Sequence, residues 1–397
     1  MPVNRHTFPL GACVLGLALA LALTAPAAAT QDLPEDIAAR LTPAQQRAYI
    51  DYRAARGTFD RDTRSYWSKV EAKRNLRKAK RVMRQEYEAG DYVQTHPPKY
   101  QGPELAPDVA RVVAELRPAV EQPPLPGVAD FLAAAKAQFG FLPKRVSEIE
   151  FKRRYAAEAL KIGLSKDQVV RVYALETGGI GTYDTLSGIN PATKLGKPAS
   201  SALGYSQLLH ANSVGGVAKH GEEFVRRMLA MAAAPGAAPE RAAELKKKAA
   251  IVRRMVRAAR TVPYEWGAHT RFANTLAGLG IHAINLDVDL GPWLQVIKLK
   301  SLKDDAVAAG YPKLSGAELE LMNLAGPRTG LEMMTPLGAR MPTSNFFSEG
   351  AYARNPIVRD KSAAELLALL DQRMEAHLKK PGSVEFAQVF DEVKQRR

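Results

Sequence analysis

Signals for helix starts and helical apolar periodicity recur along almost the whole chain after residue 30. Runs that alternate between apolar and polar residues, as strands do, are scarce. Two serine capping boxes mark helix starts most clearly, Ser165-Lys166-Asp167-Gln168 and Ser315-Gly316-Ala317-Glu318. In such a box the serine hydroxyl accepts a backbone N–H of the first turn, and the Gln or Glu side chain accepts the serine N–H. The sequence therefore predicts an all-α fold.

The chain has 397 residues, enough for two domains or for one domain with a long arm. We predict that residues 31–130 form a basic helical arm, with a long helix at about 60–88 and a proline-rich connector after it. Residues 131–397 are expected to form the main helical domain, interrupted by a glycine-rich loop at 178–204. The apolar positions of the long helix form a loose stripe: Trp67, Val70, Leu76, Ala79, Met83 and Tyr87.

The N-terminal segment is typical of a secretory signal peptide. Arg5 precedes an uncharged, largely apolar run that ends in the small residues Ala27-Ala28-Ala29. We expect cleavage after residues 1–30 and a periplasmic mature protein. Two alternatives are a membrane anchor, for which the apolar centre is short, and a lipoprotein modified at Cys13. Since Cys13 is the only cysteine, the mature chain would have neither a disulfide nor thiol chemistry.

The charge balance favours an anionic partner. Lys and Arg total 56 against 41 Asp and Glu, a net charge of +15. In the helix at 60–88 the aromatic residues Tyr66, Trp67 and Tyr87 interleave with cations, a pattern also found in nucleic-acid-binding proteins. An exported protein does not meet the genome, so nucleic acid is disfavoured. Two interpretations stay open: a solvated helix face, or attachment to an anionic wall or membrane surface.

One glutamate lies where an acid group is not usually found. In the helix begun by the first capping box, an apolar stripe runs through Val169, Val172, Tyr173 and Glu176, and Gly178-Gly179 ends the helix. A carboxylate at a helix C-terminus opposes the helix dipole, and apolar surroundings disfavour its charge. Both effects raise the pKa, as a general acid requires at neutral pH. The alternative is a partly exposed helix-end residue whose stem packs on the stripe.

Three segments, in this order, resemble the lysozyme-like lytic transglycosylase family. Glu176-Thr177-Gly178-Gly179 resembles the end of the family's catalytic helix. Gly204-Tyr205-Ser206-Gln207 resembles its Gly-x-x-Gln element, which lines the sugar cleft. Asn323-Leu324-Ala325-Gly326 resembles its Asn-Ala-Gly turn. The resemblance covers roughly residues 150–350.

The resemblance implies a lysozyme-like helical fold that cleaves peptidoglycan glycan strands at the MurNAc–GlcNAc bond without a cofactor. Glu176 would protonate the glycosidic oxygen and then act as base for the sugar's own 6-hydroxyl, leaving a 1,6-anhydro end. Gln207 and the segment Gly204 to Ser206 would hold the N-acetyl sugar. Asn323 or its neighbours would close the far side of the cleft.

A second carboxylate would allow hydrolysis instead. Asp184 lies eight residues after Glu176 in a loop, and a goose-lysozyme-like mechanism follows if it faces the cleft. The alternative is an aspartate that caps its own loop backbone. The rings of Tyr183 and Tyr205 are candidates for stacking on sugar faces, with ordinary packing as the alternative.

Two departures from the family pattern favour a competing function, a non-enzymatic wall-binding or scaffolding protein on the same fold. Met322 precedes Asn323 where the family has tyrosine, and helices at about 222–262 and 268–283 separate the second and third elements. No His-Glu-x-x-His motif is present, so we predict no metal site. The histidines after residue 30 are His96, His210, His220, His269, His282 and His377.

Overall fold

A computed structural model describes residues 33–118 and 123–397. The predicted signal peptide at 1–30, with Cys13, lies outside the described residues. The all-α prediction is confirmed, since helices make up 66% of the structure and the described residues contain isolated β-bridges but no sheet. None of the helices in these two ranges is long and apolar enough to span a membrane.

The smaller of two compact units contains residues 33–59 and 100–118. Its helices are α1 (Glu35–Ala38), the first part of α2 (Pro43–Val82) and α3 (Pro107–Leu116). A small apolar core holds them together, and Asp108 on α3 accepts a hydrogen bond from Gln45 on α2. The buried residues of this core are Ile37, Leu41, Tyr49 and Val109.

The larger unit contains residues 60–99 and 123–397. After the second part of α2, its helices are α4 (Val128–Phe139), α5 (Glu148–Lys161), α6 (Lys166–Glu176), α7 (His210–Ala232), α8 (Pro239–Ala259), α9 (Trp266–Ala273), α10 (Leu276–His282), α11 (Leu290–Ala308), α12 (Gly316–Ala325), α13 (Pro327–Met334), α14 (Glu349–Arg354), α15 (Ala363–Leu378) and α16 (Pro381–Gln395). The expected helices at about 222–262 and 268–283 correspond to the end of α7 and to α8, α9 and α10.

The division of the chain differs from the predicted arm at 31–130, because residues 60–99 belong to the larger unit. The physical reason is Arg77, which is 2% exposed. Its guanidinium donates to Glu332 at 2.7 Å and to the carbonyls of Asp91 at 2.9 Å and Asn345 at 2.8 Å. The basic helix is therefore partly a packed face and not wholly solvated.

The apolar stripe predicted for this helix is only partly correct. Val70 is buried and Trp67 packs edge-on against Tyr352. Leu76 and Met83 are exposed, and α2 ends at Val82 instead of near residue 88. The apolar pattern gave no indication that Arg77 is buried.

The main core surrounds α6. Buried rings of α5, α6, α16 and the loop before α7 meet edge to face, with Tyr173 and Tyr205 centroids 4.9 Å apart and Tyr173 and Phe386 centroids 5.2 Å apart. Such pairs stabilise a core beyond the area they bury. The C-terminal end of α6 is thereby fixed against α16, while α12 and α15 pack against the same helix.

Both predicted capping boxes are present. Ser165 begins α6 and accepts the N–H of Gln168 at 3.1 Å, and Ser315 begins α12 and accepts that of Glu318 at 3.2 Å. Helix α6 ends at Glu176 as predicted, and Gly178 and Gly179 follow with φ angles of 64° and 71°. These two helix positions place Glu176 and α12 beside each other.

Candidate functional site

Glu176 is the last residue of α6, and the backbone around it is held tightly. The Thr177 hydroxyl donates to the Tyr173 carbonyl at 2.7 Å. The Nδ1 atom of His377, on α15, lies 3.0 Å from the Ala174 carbonyl. Glu176 is partly exposed as a residue, whereas its carboxyl group is buried. A fixed helix end thus holds a desolvated carboxyl group on a residue at the protein surface.

A second glutamate lies against this carboxyl group. Glu320 on α12 is 2% exposed, and its carboxyl group forms a side-chain hydrogen bond with that of Glu176. The Asn323 amide nitrogen donates to Glu176 Oε1 at 3.2 Å and lies 3.4 Å from both carboxyl oxygens of Glu320. A hydrogen bond between two carboxyl groups needs a proton on one of them. The arrangement is a proton-sharing pair bridged by an amide.

Burial sets the protonation of this pair. Burial raises the pKa of Glu176 to about 7, although hydrogen bonds from Glu320 and Asn323 favour its ionised form. Burial, with the neighbouring charge of Glu176, raises the pKa of Glu320 well above its usual range. Lys298 on α11 partly offsets this effect, because its positive charge lowers the pKa of Glu320. The pair therefore carries at least one proton at neutral pH.

The Gly-x-x-Gln segment is a buried turn. Its Gln207 amide nitrogen donates to the carbonyls of Thr185 and Gly204, both at 2.9 Å. Gly204 has φ 83°, and a Cβ there would lie 2.5 Å from the Gln295 amide nitrogen. The Ser206 hydroxyl is bonded to that of Tyr155 at 2.9 Å. The expected sugar-binding groups of this segment thus hold the turn together, and Gln207 is its only partly exposed side chain.

The two tyrosines proposed for sugar stacking lie in the core, which corrects that expectation. Tyr205 is 1% exposed, and its hydroxyl donates to Glu148. Tyr183 is also buried and stacks on Phe151 with ring centroids 4.4 Å apart. Both rings are buried among other side chains, so the alternative of ordinary packing describes them.

Asp184 belongs to a different cluster of charges. Its carboxylate accepts from Thr182 at 2.6 Å and pairs with Arg145 and, at 3.3 Å, with Lys194. Burial would raise the pKa of Asp184, but the Thr182 hydrogen bond and the charge of Lys194 outweigh burial and lower it. Within 123–397, no hydrogen bond or ion pair joins it to Glu176. Asp184 therefore has the contacts of an aspartate that stabilises its own loop, which was the alternative to a catalytic role.

Sequence reasoning identified Glu176 and Asn323 but missed Glu320 and Lys298. The available signal for Glu320 was its place in Leu319-Glu320-Leu321, an acid inside an apolar run of the helix begun at Ser315. Its three-residue spacing from Asn323 places both on one face of α12. Lys298 gave no such signal, because its significance depends on the packing of α11 beside α12.

The described residues contain no group of three His, Cys, Asp or Glu side chains that could hold a metal ion. Of the two buried histidines among these residues, His282 has structural contacts on both ring nitrogens. His282 Nδ1 lies 2.8 Å from the Ser213 hydroxyl, and its Nε2 lies 2.8 Å from the Ser201 carbonyl.

No family model, curated protein or solved structure matches this chain.

Proposed function

We propose that the protein is an exported peptidoglycan lytic transglycosylase with a lysozyme-like catalytic domain. The observation that carries the proposal is the carboxyl pair of Glu176 and Glu320. Glu176 is partly exposed as a residue, Glu320 is buried, and burial of the Glu176 carboxyl group raises its pKa to about 7, so a proton is available at neutral pH. A general acid for glycoside cleavage needs this combination of access and raised pKa.

In the proposed reaction, protonated Glu176 donates to the glycosidic oxygen as the bond from that oxygen to C1 breaks. The sugar's own 6-hydroxyl then forms a bond to C1 and gives its proton to the Glu176 carboxylate. The acid is thereby regenerated, and the product ends in a 1,6-anhydro ring. Asn323 orients the Glu176 carboxyl group, and Glu320 keeps a proton beside it.

The positions of the other carboxyl groups favour this lone-glutamate route over hydrolysis. A hydrolase needs a second carboxylate across the sugar, about 5–9.5 Å from the first. Glu320 lies on the same side as Glu176, since one amide contacts both, and it is almost fully buried. Asp184 is held by two cations. These contacts favour a reaction in which neither residue activates a water molecule opposite Glu176.

A non-enzymatic wall-binding protein is the second candidate. The observation that favours it is the Gly-x-x-Gln turn, whose Gln207 amide is used by its own backbone. The strongly basic chain suits an anionic wall or membrane surface under either function.

Turbidity of purified sacculi separates the two candidates. We expect the wild type to clear them and Glu176→Gln to be slower by about 10²–10⁴-fold, because it cannot donate the proton. Asp184→Asn is the matched control, a carboxyl-to-amide change in the same unit, and should clear sacculi at nearly the wild-type rate. Sacculi that bind the wild type but stay intact would contradict the proposed enzyme.

A further inference from the structure

A cavity of about 250 Å³ has Lys298 in its wall. It lies between α7, α9 and α11 and begins at Leu208, the residue after Gln207. Lys298 lines it, and the charge of the same lysine acts on Glu320. Lys298 therefore links the cavity to the carboxyl pair through its charge.

Two aromatic side chains of the cavity wall are exposed. Tyr264 is 63% and Trp266 is 57% exposed, whereas Trp293 is buried and Trp67 is half-buried. Contact between an aromatic ring and water is unfavourable, and exposed aromatic residues are enriched at surfaces that a partner covers. Their ring faces suit the C–H faces of a sugar. Both belong to the segment at and before α9, which has no counterpart in the family pattern.

A buried polar atom in the cavity lacks a partner. His269 is 5% exposed and lines the cavity, and its Nε2 has no hydrogen-bond partner in the described structure. An unpaired buried polar atom is unfavourable. Gly215 leaves room for the His269 ring, because a Cβ there would lie 3.0 Å from His269 Nδ1. The cavity thus offers an unused hydrogen-bonding position beside the Tyr264 ring, whose centroid is 5.0 Å from that of His269.

The charges around the cavity favour an anion. Lys219 and Lys298 line it, against one acid, Glu265. Asn212 adds an amide. Neutral sugars need no cations for recognition, whereas a carboxylate pairs with them.

We infer that this cavity binds an N-acetylated sugar with a free carboxylate, as muramic acid has where its stem peptide has been removed, with Trp266 and Tyr264 packed on the ring and Lys219 and Lys298 facing the carboxylate. The inference rests on the proposed function and names the part of the substrate that the site selects. It makes Trp266 an affinity-determining residue and Lys219 a specificity-determining residue of this chain.

Binding is measured in Glu176→Gln protein, which keeps the ligand intact. Tryptophan fluorescence is titrated with muramic-acid oligomers without peptides and with neutral N-acetylglucosamine oligomers of equal length. Trp266 is the most exposed of the three tryptophans, so its emission reports occupancy. We expect the muramic-acid oligomer to bind at least about tenfold more tightly than the neutral oligomer.

Variants assign the contacts. Trp266→Ala, followed by calorimetry, should weaken both ligands by at least about tenfold. Lys219→Ala should weaken only the anionic oligomer. Lys246→Ala, an exposed lysine of α8 outside the cavity, is the matched control and should change neither. Circular dichroism checks that the variants fold.

Equal affinity for the two oligomers, or binding of free stem peptide as tightly as the oligomer, would overturn the inference. So would wild-type affinity in Trp266→Ala; if the wild type clears sacculi in that case, the proposed enzyme stands without this cavity. Selective, Trp266-dependent binding by a wild type that leaves sacculi intact would support the cavity and contradict the proposed enzyme.

Discussion

The Glu176 carboxyl group combines a raised pKa with an amide donor that favours its ionised form. Burial alone would hold the proton too firmly for rapid release. The hydrogen bonds from Glu320 and Asn323 act in the opposite direction and bring the pKa to about 7. A group that first donates and then accepts a proton works best near the ambient pH, so Glu320 and, to a smaller extent, Asn323 adjust this balance.

The first prediction concerns the pH dependence of wall cleavage. Because Glu176 must be protonated to act as acid, we expect activity to be retained below about pH 7 and to fall about tenfold for each pH unit above its pKa. Asn323→Leu removes a donor to the carboxylate, so the pKa of Glu176 should rise. The loss of activity on the alkaline side of the pH profile (the alkaline limb) should then begin at a higher pH. An alkaline limb that stays in place in Asn323→Leu would show that the amide does not act on Glu176.

The second prediction concerns stability. Folding raises the pKa of both Glu176 and Glu320, so the folded chain binds more protons than the unfolded chain. Their contribution to stability is present below about pH 4.5 and is lost as pH rises through the folded-state values. We expect Glu320→Gln, which cannot ionise, to raise the free energy of unfolding at pH 8 by roughly 1–3 kcal/mol and to leave it nearly unchanged at pH 4.

Urea titrations at the two pH values measure this difference. Glu318→Gln, a change at a more exposed glutamate of the same helix, is the control and should show no comparable pH dependence. Equal effects of Glu320→Gln at pH 4 and pH 8 would contradict the raised pKa.

At the level of single elements, the turn after α6 determines where Glu176 lies. Gly178 and Gly179 both have positive φ, but their surroundings differ. A Cβ on Gly178 would meet no atom within 4 Å, whereas one on Gly179 would lie 2.3 Å from the His377 carbonyl oxygen. The second glycine therefore permits close approach of α15 and α16 to the helix end.

These two glycines form a matched pair for the third prediction. Gly178→Ala should cost about 1–2 kcal/mol of stability, the usual cost of a left-handed conformation. Gly179→Ala should cost roughly 1–3 kcal/mol more through overpacking, and wall cleavage should fall because Glu176 shifts. Thermal unfolding and cleavage rates check both; equal losses in the two variants would show that the close approach does not matter.

The fourth prediction tests the structural role of the basic helix α2. Arg77→Met leaves the Glu332 carboxylate, whose side chain is 9% exposed, without its closest cation, and should cost about 3–5 kcal/mol. Lys78→Met, the adjacent and exposed position, should change stability by less than about 0.5 kcal/mol. Denaturant unfolding measures both. Similarly small effects of both substitutions would instead indicate that this face of the helix is solvated.

For the molecule as a whole, local signals predicted the helices better than they predicted the site. Capping boxes act within one turn, so α6 and α12 could be placed from sequence. The burial of Tyr205 and the packing of Arg77 depend on residues far along the chain, and neither was predicted. Glu320 was missed for the same reason: its role exists only because α12 packs against the end of α6.

The central claim is that one glutamate cleaves the glycan alone, and the mass of the released muropeptides tests it most directly. The wild type and Asp184→Asn should release fragments that end in 1,6-anhydromuramic acid, 18 Da lighter than the reducing form by the loss of one water, and Glu176→Gln should release almost none. Reducing ends as the main product, abolished by Asp184→Asn, would contradict the claim.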